Sequence, residues 1–230
     1  MNATAPEDKT RVRNAATIII VRQRPDGPAV LMGQRGRNVA FMPGKFVFPG
    51  GAVDLNDATI PLTLAPDCAA QLTQEADVPA KAIAAAAIRE LWEETGQILG
   101  HAGDWSDAPQ GWRGFARSGH LPNGEALRFF FRAITPEGQP RRFDARFFVA
   151  DAEALVSDPD DFSGAEDELS HLQWVPLAKA RTYELAFITQ VVLAELMAEL
   201  NGASPRTSVP FFRNNDEDRL VAQLDGRSLL

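Results

Sequence analysis

The sequence predicts one mixed α/β or α+β domain, a sheet with helices packed against it. Three observations predict it. Apolar strand-like runs and two long helical runs follow one another in the order β-β-β-α-β-β-β-α. The chain of 230 residues is 45% hydrophobic and 23% charged, which supplies a core without the composition of a membrane or disordered protein. There is no internal repeat and no low-complexity run, so the whole of 1–230 is read as a single domain, with a core of about 13–200, an interposed segment at 58–81 and a tail at 203–230.

The elements follow in order. AATIIIVRQR (15–24) is apolar and rich in β-branched residues, as a buried strand requires. PDGPA (25–29) is a turn, and VLMGQR (30–35) returns as the hairpin partner. After the loop RGRNVAFMPG, KFVFPGG is a short strand that ends in two glycines. The proline-punctuated stretch 58–81 contains a short helix near 66–76. Residues 80–97 form a long alanine-rich helix ended by Gly96. The stretch 101–125 is irregular, with a helix near 109–117. Residues 125–135 and 141–151 are two strands of a hairpin around PEGQP, and 167–177 is another strand. Pro176 opens a helical region, and 184–200 is the last long helix. The tail is polar apart from an apolar knot at Pro210–Phe212.

A net charge of −8 argues against binding a nucleic-acid polymer. Within 9–45, however, Lys9, Arg11, Arg13, Arg22, Arg24, Arg35, Arg37 and Lys45 face one acid, Asp26, a local balance of +7 that leaves −15 elsewhere. Such a segment suits a small polyanion, or is a solvated face. The single cysteine, Cys68, excludes an internal disulfide and fits a reducing, cytoplasmic compartment; buried and inert is its simplest reading. The N-terminus reads as neither signal peptide nor membrane span.

Two stretches carry chemistry. FVFPGGAVDLND (46–57) has a proline, two glycines and then close aspartates; alone it is a phosphate-binding loop or an ordinary turn. AAAAIRELWEETGQIL (84–99) is the decisive one. At about 100° per residue, Glu90, Glu93 and Glu94 fall on one helix face, while Ile88, Leu91 and Trp92 can pack inward. Carboxylates this close repel, and their pKa values rise unless a cation compensates. The face is either a solvated acidic surface or an oxygen-rich site for Mg²⁺ or Mn²⁺. His101, His120 and His171 are scattered and do not suggest Zn²⁺. The aromatics RFFFR (128–132) and RFF (146–148) read as strand core ahead of base-stacking platforms.

Together, loop and helix resemble the Nudix box: glycine, five residues, glutamate, seven residues, then Arg-Glu-hydrophobic-x-Glu-Glu-x-Gly-hydrophobic. Gly51 is the first glycine, Asp57 stands in the glutamate's place, and Arg89, Glu90, Leu91, Glu93, Glu94 and Gly96 match the second half in register. There are three departures. Asp57 is shorter than glutamate, 24 extra residues lie between Asp57 and Arg89, and Gln97 takes a hydrophobic position. An insertion between two intact anchors can loop out, because closure entropy grows slowly with length.

The resemblance implies an α/β/α sandwich around a mixed sheet and a Mg²⁺- or Mn²⁺-dependent hydrolase of a small nucleoside diphosphate linked to another moiety. It implies Glu93 and Glu94 as metal ligands, Glu90 as ligand or general base, and Arg89 as the residue that holds the glutamates in place. The carbonyl of Gly50 or Gly51 and the Asp57 carboxylate are expected to face the metal. A further acid from a distant loop is expected in SGAEDELSHLQW (163–174), with Glu168 ahead of Glu166.

VLMGQRGRNVAFMPGKFVFPGG (30–51) resembles, more narrowly, the stretch upstream of the box in coenzyme A diphosphatases, the peroxisomal branch above all. Leu31, Arg35, Gly44 and Phe48–Gly51 line up; Gly33 replaces a threonine, and Ala40 stands where an arginine belongs. Coenzyme A or acyl-coenzyme A is then the implied substrate, its phosphates met by Arg35, Arg37 and Lys45. ADP-ribose and NAD(H) are alternatives, as is a Nudix fold kept as a non-catalytic binding module. The segment 58–81 can roof the pantetheine end, support a homodimer or stand as an appendage; the sequence does not choose.

Overall fold

Strand β1 (Val12–Arg22) organises the sheet: Ile18, Ile19 and Ile20 are all fully buried, so both of its faces are covered. In the computed structural model, which describes residues 11–37, 39, 41–74, 76–203 and 208–213, β1 pairs in parallel with β8 (Arg142–Asp151) from Val12↔Arg142 to Val21↔Asp151. β8 pairs antiparallel with β7 (Arg128–Ile134), and β10 (Phe211–Arg213) adds to β7 in parallel. The other edge of β1 is divided. β4 (Gly50–Ala52) takes the N-terminal half, from Ala15↔Ala52 to Thr17↔Gly50. β2 (Ala29–Arg35) takes the C-terminal end, Val21↔Val30 and Arg22↔Ala29. Where the two diverge, the Ile18 amide donates to the Pro49 carbonyl at 2.9 Å. β2 also carries β3 (Phe46–Val47) and β9 (Leu169–Pro176).

The alternation of side chains along β1 sorts the helices. Ala16, Ile18 and Ile20 face α2 (Ala80–Thr95), together with α1 (Pro66–Leu72) and α3 (Arg113–Arg117). Ile19 and Val21 face α4 (Phe187–Leu200), through its Val191, Val192, Leu193 and Leu196. The result is the expected α/β/α sandwich around a mixed sheet.

The alanines of α2 favour a helix and let it lie close on the sheet: every residue from Ala82 to Leu91 is buried. The helix stops at Gly96, whose φ of 72° is a left-handed conformation that glycine adopts without strain, and whose amide donates to the Trp92 carbonyl at 2.8 Å. Among the described residues, no helix is long and apolar enough to cross a membrane.

The segment 58–81 is not an appendage. Ile60, Leu62, Leu64, Cys68 and Leu72 are buried in the core on the α2 face. Each such side chain contributes about 1.5–3 kcal/mol at most. Burial pushes the Cys68 thiol up, in keeping with an inert cysteine. Phe129, Phe130, Phe131, Phe147 and Phe148 are strand core, as read. Two readings need correction. The stretch 101–125 is not merely irregular with a helix, because β5 (Gly100–Ala102) and β6 (His120–Pro122) form a small sheet of their own beside α3. The apolar knot of the tail becomes the edge strand β10. Lys9, Ala40 and most of the tail lie outside the described residues.

Candidate active site

β4 brings Gly50 and Gly51 against the last turns of α2, and glycine is required for that approach. A Cβ on Gly51 would overlap the Glu90 carboxylate, and one on Gly50 would meet the β1 backbone at the Ala16 carbonyl. The Gly50 amide donates to Glu94 Oε2 at 2.8 Å. Glu94 Oε1 is buried with no partner. Gly50 therefore meets an acid of the helix with its amide, and not an open phosphate pocket.

Arg89 is the hub of the site, only 6% exposed. Its Nη1 donates to Glu90 Oε1 at 2.8 Å and to Glu93 Oε2 at 2.9 Å. Its Nη2 donates to the Ala52 carbonyl at 2.8 Å and to Asp57 Oδ2 at 3.1 Å, and Nε to Asp57 Oδ1 at 3.2 Å. These bonds use all the donors a guanidinium has. Burial opposes its charge, but the bond to Asp57 and the charges of Glu90, Asp57 and Glu93 outweigh it and hold Arg89 above the usual arginine range. Saturated in this way, Arg89 holds the Glu90 and Glu93 carboxylates and has no donor left for a further partner.

Asp57 corrects an expectation. Its carboxylate is committed to donors within the protein, which leaves it no oxygen for a metal. Fully buried, it sits behind Arg89 and accepts from both Arg89 nitrogens, from the Asp54 amide at 2.8 Å and from the Trp112 indole Nε1 at 3.2 Å. Four bonds fill its acceptor sites. Trp112, itself buried, was not legible as part of the site, since a tryptophan in an irregular stretch reads as core and nothing in the sequence tells where its N–H points.

The carboxylates share an unfavourable environment. Burial first, and then the charges of Glu93 and Glu168, push Glu90 up to about 7 against the pull of Arg89. Burial, Glu90 and Glu168 hold Glu94 well above the carboxylate range, opposed by the Gly50 amide and Arg35. Glu93 is raised by burial, with Arg89 opposing and Glu166 and Asp54 adding. As folded, Glu90 and Glu93 turn to Arg89 and Glu94 turns to Gly50. Among the described residues no three His, Cys, Asp or Glu side chains are arranged around a common metal position. The donor set still fits a hard divalent cation: it is all oxygen, short of positive charge, and holds one buried oxygen without a partner.

The loop that carries Glu166 and Glu168 packs on the end of α2. The Glu166 amide donates to the Glu93 carbonyl at 2.8 Å, and Arg35 Nη2 donates to Glu168 Oε1 at 3.1 Å. Arg35 keeps a buried Nε without a partner. Arg37 is exposed, and Lys45 lies 3.9 Å from Glu184. The basic segment is thus partly neutralised by acids elsewhere in the chain, Arg22 by Asp160 included.

No family model matches the chain. A crystal structure of a NUDIX hydrolase from Alicyclobacillus acidocaldarius superposes with a TM-score of 0.64 at 26% identity, covering 85% of this chain and 97% of that one. The chain has the Nudix fold. A Caenorhabditis elegans protein described as "Putative nudix hydrolase 7" is 28% identical over 206 residues, 78% of this chain, and the chain spans 61% of that relative's length. Both comparisons support the Nudix hydrolase family. Within the stretch that resembles the Nudix box, the departure at Gln97 acquires a structural meaning: the side chain is fully buried and hydrogen-bonded to 157–161, a segment in the chain just ahead of the acid-bearing loop.

Proposed function

We propose that this chain is a divalent-metal-dependent hydrolase that cleaves the diphosphate bond of a nucleoside diphosphate joined to another group. One observation carries the reading: Glu90 and Glu93 gather on a saturated Arg89, and beside them Glu94, turned to the Gly50 amide, keeps a buried Oε1 with no partner. That is a concentration of negative charge that the protein's own cations do not balance. Glu90, Glu93 and Glu94 would hold Mg²⁺ or Mn²⁺, with the Gly51 carbonyl and Glu168 as further ligands. When bound, the metal would neutralise the diphosphate oxygens and make the attacking water more acidic. Arg89 keeps Glu90 and Glu93 in place. Glu90, pushed up to about 7 by burial in the metal-free protein, would be the base for that water where it does not itself ligate the metal. Arg35, with its unfilled buried Nε, and the exposed Arg37 are the groups that would meet substrate phosphates, with Lys45 farther out.

Coenzyme A or acyl-coenzyme A is the substrate we favour, on the likeness of 30–51 to the coenzyme A stretch; ADP-ribose and NAD(H) offer the same diphosphate. The test is a panel of coenzyme A, an acyl-coenzyme A, ADP-ribose and NADH with Mg²⁺ or Mn²⁺ and analysis of products. Release of 3′,5′-ADP and a 4′-phosphopantetheine species is expected. A clear preference for ADP-ribose or NADH would overturn the coenzyme A assignment. If nothing is cleaved and Glu93→Gln changes nothing, the hydrolase reading fails, and metal-independent binding without turnover would make the chain a binding module.

A further inference from the structure

The loop 158–168, DPDDFSGAEDE, contains six acids and no base, yet it packs against the C-terminal end of α2. That end already carries Glu93 and Glu94, and a helix C-terminus is the negative end of its dipole. Like charges at this range oppose docking, so something else must hold the loop down. Arg22 at Asp160 and Arg35 at Glu168 offset only two of the six charges.

Gln97 supplies what a charged or apolar residue there could not. Its Nε2 donates to the Asp158 carbonyl at 3.1 Å and to the Asp161 carbonyl at 2.8 Å, and its Oε1 accepts from Ser157 Oγ at 2.8 Å. Both amide donors are used, which fixes the orientation of the side chain. Ser157 Oγ in turn accepts from the Ile98 amide at 3.0 Å, and Val156 N–H donates to the Ile98 carbonyl at 2.9 Å. Beyond these bonds the backbones of Gly96 and Gly164 run side by side, and the Glu166 amide reaches the Glu93 carbonyl. A leucine at 97 could fill the space but would leave two carbonyls and a hydroxyl unmatched. An acid could accept from Ser157, but it would repel the carbonyls and add another negative charge.

We propose that Gln97 is a positioning residue: with Trp174 Nε1 at the Pro159 carbonyl and Phe162 against the core, it is a neutral clamp that holds an acidic loop against an acidic helix end, and so keeps Glu166 and Glu168 at the metal-binding face. The role of that face rests on the hydrolase reading above; the clamp itself does not.

Gln97→Met keeps the length and removes the three hydrogen bonds. Hydrogen exchange of the 163–168 amides is expected to accelerate at least tenfold. Because the force being resisted is like-charge repulsion, 0.5 M NaCl, a concentration at which screening reaches only about 4 Å, should recover part of the protection in the variant and change the wild type little. The Mg²⁺ midpoint, read from thermal shift, should rise at least fivefold, and kcat on whichever diphosphate is cleaved should fall with KM within twofold. A merely structural role would lower Tm without the salt recovery or the Mg²⁺ shift. Should Gln97→Met not fold, Ser157→Ala removes one arm of the clamp and is expected to show the same exchange and salt effects at smaller size. Unchanged exchange at 163–168 in the variant that folds overturns the proposal. If the wild type cleaves nothing in the panel, the hydrolase reading falls while the exchange and salt measurements still decide the clamp.

Discussion

The indole N–H of Trp112 reaches Oδ1 of Asp57 across 3.2 Å, joining the 101–125 stretch to the first half of the box. Trp112 packs on Phe115 and Trp105, so the donor is held by an aromatic cluster. Trp112→Phe keeps the ring and loses the N–H. It is expected to cost about 1 kcal/mol, since Asp57 retains three donors, and to raise the Mg²⁺ midpoint severalfold by loosening Arg89. Chemical denaturation and a Mg²⁺ thermal-shift titration check both; an unchanged midpoint would detach Trp112 from the site.

Glu94→Gln should move stability and function in opposite directions. It removes a buried charge that burial and Glu90 disfavour, while the amide oxygen can still accept from Gly50. The metal-free variant is expected to melt higher, by about 2–4 °C for each kcal/mol gained. It should respond little to Mg²⁺ and lose at least a hundredfold in kcat. A variant that melts lower than the wild type in EDTA would refute the idea of an uncompensated charge.

The pH dependence follows from Glu90. Its folded value of about 7 lies above its ordinary 4.5, so the folded state holds the proton more tightly. The associated stability is fully present below about 4.5 and is lost as pH rises through about 7. Tm in EDTA should therefore decline between pH 5 and 7.5 more steeply than in Glu90→Gln. The stabilising increment from Mg²⁺ should grow over the same interval, because the metal binds the ionised carboxylates. Parallel melting curves with and without Mg²⁺ across that range would count against the assignment.

A second buried ionic cluster makes a contrasting case. Asp144 accepts from Arg132 through Nε at 2.9 Å and Nη2 at 2.6 Å, while Arg146 lies 3.2 Å from the same carboxylate with its Nη2 buried and unpartnered. Arg146→Met should cost less than Arg132→Met: it removes the Nη1 bonds to Asn14 and to the Asp144 carbonyl but leaves Asp144 its bidentate partner. Arg132→Met should cost about 3 kcal/mol, by leaving Asp144 without its bidentate partner. Denaturant melts of the two variants give the ordering, and the reverse order would be wrong for this account.

What the sequence made legible is what depends on local pattern. The helix at 80–97 announces itself by alanine content, by three glutamates on one face and by Gly96, and the match of Arg89–Gly96 to the second half of the box pairs it with Gly51 across the 24 extra residues. The role of Asp57 was not legible, because its partners Arg89 and Trp112 stand 32 and 55 residues away, and only the fold says which side of Arg89 it occupies. The anchoring by Gln97 was hidden for the same reason: a polar residue at an apolar position reads as a mild departure until its partners at 157–161 are known. β5, β6 and β10 escaped because three-residue strands held by backbone bonds leave almost no periodicity to detect.

The alanine-rich flank of α2 has a consequence for how this chain can vary. Ala84 and Ala87 lie on the side of α2 that carries Leu91 and Glu94, and their small side chains let the helix approach the sheet; that spacing also sets how far Glu90 and Glu94 stand from Gly51 and Gly50. The thickness of the hydrophobic layer works as a gauge block for the carboxylates. A larger residue at Ala84 would touch no substrate, yet it would jack the acids off the glycine strand, and the first symptom would be poor cation affinity rather than unfolding.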